Sequence, residues 1–350
     1  MLKEIRIKNY KSIQKLKMTT GQLTVLIGEN GSGKTNILEA IALASAAAND
    51  KLDNEFLAAR GIRITDPKFM RAAFHCENFS EDIYIRMTGV DDFYFECHLQ
   101  NDNEPYSKWN INREKNSPFD QSPNRFFEKL KRHNFIIYSP ENQALRVFEK
   151  EGQIQPLGIN GEGLFKLLKV LGAEENKKKL QVIKEKLKAI DWFEDFEIPD
   201  TLSENVNLIN IKDKYLYDTV SYLDQKSSNE GFLFLLFYFA LLVSNKTPDL
   251  FAIDNIDASL NPKLCWHMTK EFGQLARQYN KQVILTTHNP AILDGLDLDD
   301  PQQKLFVVFR NKKGYTKINQ IEKPKSEEQE PVRLSEAFLR GYLGGLPKGF

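Results

Sequence analysis

The sequence predicts an α/β fold built on a mostly parallel sheet, and three observations carry that expectation. Residues 28 to 35 read GENGSGKT, a glycine-rich loop set between the β-like run Leu23 to Ile27 and a helix-like run from Asn36 through Ala48. A phosphate-binding loop works in that setting, because a strand delivers it and a helix N-terminus closes it. The other two observations are apolar runs, Leu250 to Ile253 and Gln282 to Thr286, which lead into Asp254 and His288. A strand ending in a carboxylate is where a phosphate-loop nucleotidase brings out the acid that holds Mg²⁺.

Along the chain, Leu2 to Ile7 and Leu23 to Ile27 read as strands flanking a short turn. The following helix carries Ile37, Leu38, Ile41 and Leu43. Residues 69 to 112 hold alternating runs, Phe69 to Phe74, Ile83 to Met87 and Phe93 to His98, that predict an antiparallel sheet. A helix around Arg125 to Lys131 leads to the strand Asn134 to Tyr138, which Ser139-Pro140 ends. Between Gly161 and Ile190 the pattern is helical, with Leu180, Ile183, Leu187 and Ile190 on one face. Residues 204 to 222 resemble a hairpin, and 232 to 243 are apolar all round, as in a buried helix. A strand from Leu305 to Phe309 precedes the turn Asn311 to Gly314. Lys323 to Pro331 then reads as a linker to a tail that can cap the core or dock a partner. The expected division is a head over 1–320, with its core at 1–50 and 232–320, an antiparallel β subregion at 67–115 and a helical subregion at 160–200. Residues 321–350 form the linker and tail.

Composition narrows the function classes. The 350 residues include 48 basic and 48 acidic ones, so no global field draws the chain to nucleic acid or membrane, and any DNA contact is a local patch. The N-terminal stretch lacks the apolar core of a secretory signal, and the run Phe232 to Val243 is too short to span a bilayer. The expected location is therefore cytoplasmic, with no membrane partner. Three cysteines give no disulfide framework. His75-Cys76 and Cys97-His98 lie on runs that can pair. Neighbouring strand residues face opposite sides, so at most two of the four share a face, and they read as ordinary strand residues.

The loop supplies the chemistry. Successive backbone N–H groups can curl around a phosphate, Lys34 can reach the β and γ oxygens, and the Thr35 hydroxyl can ligate Mg²⁺. ATP or GTP is the expected ligand. At its own strand tip, His288 is placed to hydrogen-bond a γ-phosphate or an attacking water.

NYKSI at 9 to 13, GENGSGKTN at 28 to 36, SSNEG at 227 to 231, AIDNIDASLNP at 252 to 262 and LTTHNPAIL at 285 to 293 resemble, in order and spacing, the ABC-type ATPase heads of the RecF, SMC and OLD proteins. The resemblance covers residue 1 to about 310. It implies a phosphate-loop NTPase of ABC-ATPase type, with a mixed, largely parallel core sheet flanked by helices, an antiparallel β lobe and a helical lobe. It also implies a homodimer that traps two ATP molecules between one subunit's phosphate loop and the other's signature segment. Asn30, Gly31, Ser32, Gly33, Lys34, Thr35 and Asn36 would form the nucleotide cradle, and Thr35 and Asp254 the Mg²⁺ shell. His288 would be the switch histidine, and Ser259-Leu260-Asn261 the loop that communicates across the dimer. Asn229, Glu230 and Gly231 would open the signature helix, and Gln143 would link the lobes.

Two positions depart from the family pattern. The residue after the Mg²⁺ aspartate is normally a glutamate that polarises water, and here it is Asn255. An amide orients water without accepting its proton, and a general base supplies about 10²- to 10⁴-fold, so slow hydrolysis is expected. Asp257 is a candidate substitute. In SSNEG the usual serine position falls on Asn229, unless Ser228 takes it by a one-residue shift. The resulting expectation is a slow ATPase that acts as a sensor or switch for a separate effector, a nuclease or toxin, in bacterial antiviral defence. No nuclease domain is expected after the last core strand. The rivals are a RecF-like repair ATPase gripping DNA through Lys177 to Lys188 or Lys129, Lys131 and Arg132, and a non-hydrolysing ATP-binding scaffold.

Overall fold

The structure is a computed structural model that describes all residues except 73, 75–79, 91, 105–106, 117–134, 148–156, 174–176, 200–207, 218, 324–332 and 345–350. The helix expected near Arg125 and the stretch Lys129 to Arg132 lie outside the described residues, as do His75, Cys76 and nearly all of the linker.

Two sheets face each other across one helix. The first is antiparallel, in the order β2-β1-β4-β5-β6, from β1 (Leu2–Tyr10), β2 (Ile13–Thr19), β4 (Ile83–Gly89), β5 (Tyr94–Gln100) and β6 (Asn110–Asn116). The second contains β3 (Leu23–Ile27), β7 (Ile137–Tyr138), β10 (Leu250–Ile253), β11 (Gln282–Thr287), β12 (Gln303–Arg310) and β13 (Thr316–Ile321), in the order β13-β12-β3-β11-β10-β7. Its pairings are parallel except for the antiparallel edge strand β13.

Helix α1 (Lys34–Ala48) lies between the sheets and is buried on nearly every side. Its Ile37, Leu38 and Ile41 share a core with Ile5, Ile7 and Ile85 of the antiparallel sheet and with Leu26, Ala252, Ile284 and Phe306 of the parallel one. The next residues along those strands, Val25, Ile27, Phe251, Ile253, Val283 and Leu285, point the other way. They meet α7 (Glu230–Val243), α5 (Leu164–Gly172) and α6 (Lys177–Leu187) in a second core. Strand periodicity of two thus feeds both cores, which explains why these strands are apolar throughout. Each buried Leu or Phe in them stabilises the fold by about 1.5–3 kcal/mol relative to an exposed one.

Several elements differ from expectation. The expected turn after β1 contains the strand β2, whose adjacent polar residues Gln14 and Lys15 break strict alternation; it pairs with β1 from Glu4 opposite Thr19 to Tyr10 opposite Ile13. The described residues of the run Phe69 to Phe74 form no strand. Pro67 follows Asp66 at the start of a helical turn, α3 (Pro67–Met70), and the Phe69 and Met70 N–H groups bond back to the Asp66 carbonyl at 2.8 and 3.2 Å. Of the expected hairpin at 204 to 222, residues 204–207 and 218 lie outside the described residues; in the rest, β9 (Asn210–Asp213) runs antiparallel to β8 (Phe193–Glu197), with one bridge from Ile211 to Leu223. Helix α8 (Pro262–Gln278) was not expected. Asn261 caps it by accepting the Leu264 N–H at 2.9 Å, Pro262 opens it, and Cys265, Met268, Phe272 and Leu275 form its buried stripe.

In the tail, α9 (Leu334–Leu339) docks on the 3-10 turn Pro290–Gly295, where the Ser335 hydroxyl donates to Asp294 at 2.6 Å and Phe338 is buried. Two short helices, α2 (Asn54–Ala58) and α4 (Asn142–Arg146), complete the elements used below. No helix among the described residues is long and apolar enough to cross a membrane.

Candidate functional site

The glycine-rich loop leaves β3 and enters α1 at Gly33, which caps the helix at φ +105°. A Cβ there would fall 2.0 Å from Thr316 Oγ1 and 2.8 Å from Ser12 Oγ, and one on Gly28 would fall 2.1 Å from the Val308 carbonyl oxygen. Backbone contact with β12 and β13, together with the left-handed φ at Gly33, therefore sets where glycine is required. Polar bonds fasten the loop from behind. Asn36 Nδ2 donates to Ser12 Oγ at 2.6 Å, the Ser12 and Thr316 hydroxyls lie 2.6 Å apart, and Thr316 donates to the Ser32 carbonyl at 2.8 Å. The Ser32 hydroxyl is buried and has no hydrogen-bond partner among the described residues. A phosphate oxygen is the kind of acceptor that would satisfy it.

Lys34 is almost fully buried, and its ammonium folds back on its own loop. It donates to the Gly28 and Glu29 carbonyls at 2.8 and 3.0 Å and lies 3.2 Å from His288 Nδ1. That nitrogen is also 3.1 Å from the Gly28 carbonyl. One ring nitrogen cannot both accept from Lys34 and donate to Gly28, so the tautomer decides which contact is a hydrogen bond. Burial pushes Lys34 down to about 8, against the opposing pull of Asp254, Asp257 and Glu29.

Asp254 leaves β10 at the middle of the crevice. Its Oδ2 accepts the Thr35 hydroxyl at 2.9 Å, and its Oδ1 accepts the Thr286 hydroxyl. Thr286 Oγ1 in turn accepts the Asn255 N–H at 2.9 Å. Asn255 is exposed and sits at φ +53°, a left-handed conformation that Asn adopts more readily than most residues. Asp257 accepts the Thr287 hydroxyl at 2.6 Å and the His288 N–H at 3.3 Å, so its carboxylate holds the tip of β11.

The expected residues thus fall into groups. Lys34, Thr35, Asp254 and His288 meet in one crevice, with Asn255 at its edge and Asn30 to Gly33 forming the loop above. Asn229, Glu230 and Gly231 open α7 elsewhere. Among the described residues no hydrogen bond or ion pair joins them to the phosphate loop of the same chain. They touch instead the loop after β10: Glu230 Oε1 bonds Ser259 Oγ, and a Cβ on Gly231 would lie 3.1 Å from the Ser259 carbonyl oxygen. Asn229 is exposed whereas Ser228 is buried, so Asn229 is the residue facing outward at this helix start.

Gln143 is the second residue of α4. Its side chain is exposed, and among the described residues no hydrogen bond joins it to Lys34, Thr35 or Asp254. The preceding strand does reach the crevice, since the Tyr138 carbonyl accepts the Asp254 N–H at 2.8 Å. From the other end of α4, Arg146 donates to the Gln225 and Lys226 carbonyls at 3.1 and 2.6 Å, just ahead of α7. Sequence reasoning missed Thr286, Thr287 and Ser12 as parts of the site. All three lie within the quoted motifs NYKSI and LTTHNPAIL, and that placement was their signal. Cys97 is buried in β5, and no metal-binding group of His, Cys, Asp or Glu occurs among the described residues.

A family model described as "AAA domain, putative AbiEii toxin, Type IV TA system" matches residues 23–294. Among curated proteins the chain is similar to an OLD nuclease of Thermus scotoductus, 27% identical over 110 residues that cover 26% of this chain and 21% of that protein. It is also similar to the DNA replication and repair protein RecF of Bacillus thuringiensis, 38% identical over 55 residues, or 15% of each chain. The matched stretch spans about a fifth or less of the length of these relatives. Among solved structures, an SMC head bound to the C-winged helix domain of ScpA aligns with TM-score 0.61 and 15% identity, over 92% of this chain and 98% of that one. The SMC head domain of Thermotoga maritima aligns with TM-score 0.51 and 16% identity, over 92% and 99%. At such identities the structural likeness is one of fold. The family match, by contrast, runs through the phosphate loop, Asp254 and His288 over well more than half of the sequence, and the chain belongs to that family, as an ABC-type ATPase head of the RecF, SMC and OLD kind.

Proposed function

We propose that the chain binds ATP with Mg²⁺ in this crevice, hydrolyses it slowly, and closes with a second copy around two nucleotides as a switch for a separate effector. The observation that carries the proposal is the 2.9 Å bond from the Thr35 hydroxyl to Asp254, formed beside the buried Lys34 ammonium. Hard oxygens from Thr35 and Asp254 suit Mg²⁺, which when bound neutralises phosphate charge. Lys34 exchanges its carbonyl acceptors for phosphate oxygens, and the Ser32 hydroxyl gains the acceptor it lacks. His288 positions the γ-phosphate end. Asn255 orients water but takes no proton from it, and Asp257 is engaged by Thr287 and the His288 backbone, so neither is a free general base. On nucleotide binding Gln143, unattached to the crevice in the free chain, would turn in to link it to the helical lobe, and Asn229, Glu230 and Gly231 would present their helix end to the partner's nucleotide. The role assigned to that switch is antiviral defence, with a nuclease or toxin as the effector; a family description that names a toxin and a toxin–antitoxin system is consistent with it.

The test is turnover of the native chain against Asn255→Glu, with Asn255→Gln controlling for loss of the Asn-favoured φ. A supplied base should raise the rate about tenfold or more for Glu and not for Gln. A flat or lower rate for Asn255→Glu overturns the tuned-down site.

A second reading, a RecF-like DNA clamp, is favoured by the outward face of the antiparallel sheet. There Lys15 stands opposite Lys8, and Lys17, Arg6 and Arg86 align across three strands. Glu4 and Glu96 offset part of this charge through ion pairs. On α6, Lys184 and Lys186 pair with Asp195 and Glu271, which leaves that helix the weaker candidate. Duplex affinity that falls steeply with salt, and less steeply in Lys8→Glu with Lys15→Glu, would support this reading; salt-independent or absent binding removes it.

A further inference from the structure

The chain holds two Asn-Gly pairs, Asn30-Gly31 in the phosphate loop and Asn160-Gly161 ahead of α5. Asparagine before glycine is prone to spontaneous loss of its side-chain amide, because no Cβ on the second residue shields its backbone nitrogen from the neighbouring carboxamide. Whether such a pair reacts depends on the fold. The carboxamide must be free to swing onto that nitrogen, and the nitrogen must be free of an acceptor.

At Asn160 both conditions fail. Its Nδ2 donates to Glu162 Oε1 and its N–H to Glu162 Oε2, each at 3.1 Å, and the Gly161 N–H donates to the Gly158 carbonyl at 3.2 Å. Gly161 is also buried, and a Cβ there would fall 2.5 Å from Leu145 Cδ2. At Asn30 both conditions hold. Asn30 and Gly31 are exposed, and among the described residues neither the Asn30 side chain nor the Gly31 N–H makes a hydrogen bond. Gly31 sits at φ +74°, where a Cβ would meet nothing within 4 Å, so the backbone there has room to turn. The loop is fastened on either side instead. The Ser32 N–H donates to the Glu29 carbonyl at 3.3 Å and Arg310 Nε donates to the Gly31 carbonyl at 2.6 Å, and both bonds leave the peptide between Asn30 and Gly31 untouched.

We propose that Asn30 is a self-modification site of the phosphate loop, which loses its carboxamide to attack by the Gly31 nitrogen and thereby turns the loop from accepting a triphosphate to repelling it. The Gly31 nitrogen bonds to the Asn30 side-chain carbonyl carbon, its proton passes to the departing amide, and ammonia leaves a five-membered imide. Water then breaks one of the two imide C–N bonds, which gives aspartate or, with the chain rerouted through the side chain, isoaspartate. Either product adds a negative charge where the triphosphate is to lie. Isoaspartate also lengthens the main chain by one carbon just ahead of Ser32 and Gly33, which Thr316 holds from behind. The attack needs only the unbonded pair, whereas its effect on ligand rests on the reading of the loop as a nucleotide site. A phosphate oxygen that accepts the Gly31 N–H engages the attacking nitrogen, so bound nucleotide protects Asn30.

The native full chain is held for days in mildly alkaline and mildly acidic buffer, with and without ATP and Mg²⁺, and position-resolved mass spectrometry follows the gain of about one mass unit per converted asparagine. In alkaline buffer Asn30 should convert about tenfold or more faster than Asn160, whose hydrogen bonds must first break. Acid should slow it, because the deprotonated nitrogen is the attacking group. In urea, where the fold no longer distinguishes the pairs, both asparagines should convert alike. ATP with Mg²⁺ should slow conversion at Asn30 and leave Asn160 unchanged. Asn30→Asp supplies the charge without the rearrangement and should bind ATP about tenfold more weakly than the native chain. Asn30 that stays intact in the folded chain, or converts no faster than Asn160, overturns the proposal, as does ATP affinity in Asn30→Asp equal to that of a native chain that binds ATP. Conversion at Asn30 that ATP leaves unslowed supports the modification and tells against the nucleotide reading of the loop, so the two failures are distinct.

Discussion

Lys34 is the residue at which burial and charge oppose each other most directly. In the free protein its ammonium is almost sealed from water and satisfied by two loop carbonyls, and burial lowers it to about 8. A triphosphate arriving at the same place favours the charged form and raises that value again. Binding must therefore take up a proton wherever the free site is deprotonated. At pH 7 roughly nine-tenths of Lys34 is already charged and uptake is small, while at pH 9 roughly nine-tenths is neutral and uptake approaches one proton. Calorimetry in buffers of different ionisation enthalpy should show that increase, with affinity falling as pH rises through 8. Proton uptake that stays flat from pH 7 to 9 would mean that Lys34 is not the group meeting the phosphate. The residue type and its loop were plain in the sequence. Its contact with His288 was not, because 254 positions separate the two and only the parallel pairing of β3 with β11 brings the tips together.

At the scale of elements, α1 is held by one buried acid. Glu39 is fully buried, with Lys11 at 2.6 Å and Arg63 Nε at 2.7 Å, and it accepts the Arg63 N–H at 3.0 Å. Arg63 then reaches Asn36 at 2.8 Å, which ties the pair to the polar chain behind the phosphate loop. Replacing Glu39 with Gln leaves the Lys11 ammonium, itself largely buried, without its counter-charge, whereas Arg63→Ala removes a side chain that is 63% exposed. Breaking a buried pair from one side costs about 3–5 kcal/mol. Urea unfolding should give a loss of about 3 kcal/mol for Glu39→Gln and distinctly less for Arg63→Ala. Equal losses would show that the exposed arginine carries the clamp. The apolar run made α1 legible, yet nothing in local pattern marks Glu39 as buried, since a lone acid on a helix ordinarily faces water. The same limit explains the other differences. Helix α8 announces itself only through the Asn261-Pro262 cap and a stripe beginning at Cys265, and β2 hides its inward Leu16 and Met18 among lysines.

For the whole molecule, the proposed reading makes one chain carry two halves of a site that no hydrogen bond or ion pair joins among the described residues. The start of α7, with its cap Asn229 exposed, makes no hydrogen bond or ion pair to Lys34, Asp254 or His288 among the described residues; its N-terminal dipole favours an anion, and Asn229 makes no side-chain cap bond. A two-fold rotation lets each copy supply what the other lacks, in a self-complementary interface. The formal net charge of zero puts no long-range repulsion in its way. Light scattering should therefore show the mass doubling when ATP and Mg²⁺ are added, and the slow hydrolysis expected from Asn255 should keep that dimer assembled for many minutes. Asn229→Arg places a bulky cation at the proposed contact, at a side chain with no hydrogen bond among the described residues. It should stay monomeric while retaining one nucleotide per chain, and Lys34→Ala should lose both nucleotide and dimer. Should Asn229→Arg dimerise with ATP as readily as the native chain, the start of α7 is not the partner's half of the site, and the nucleotide must be closed by some other surface.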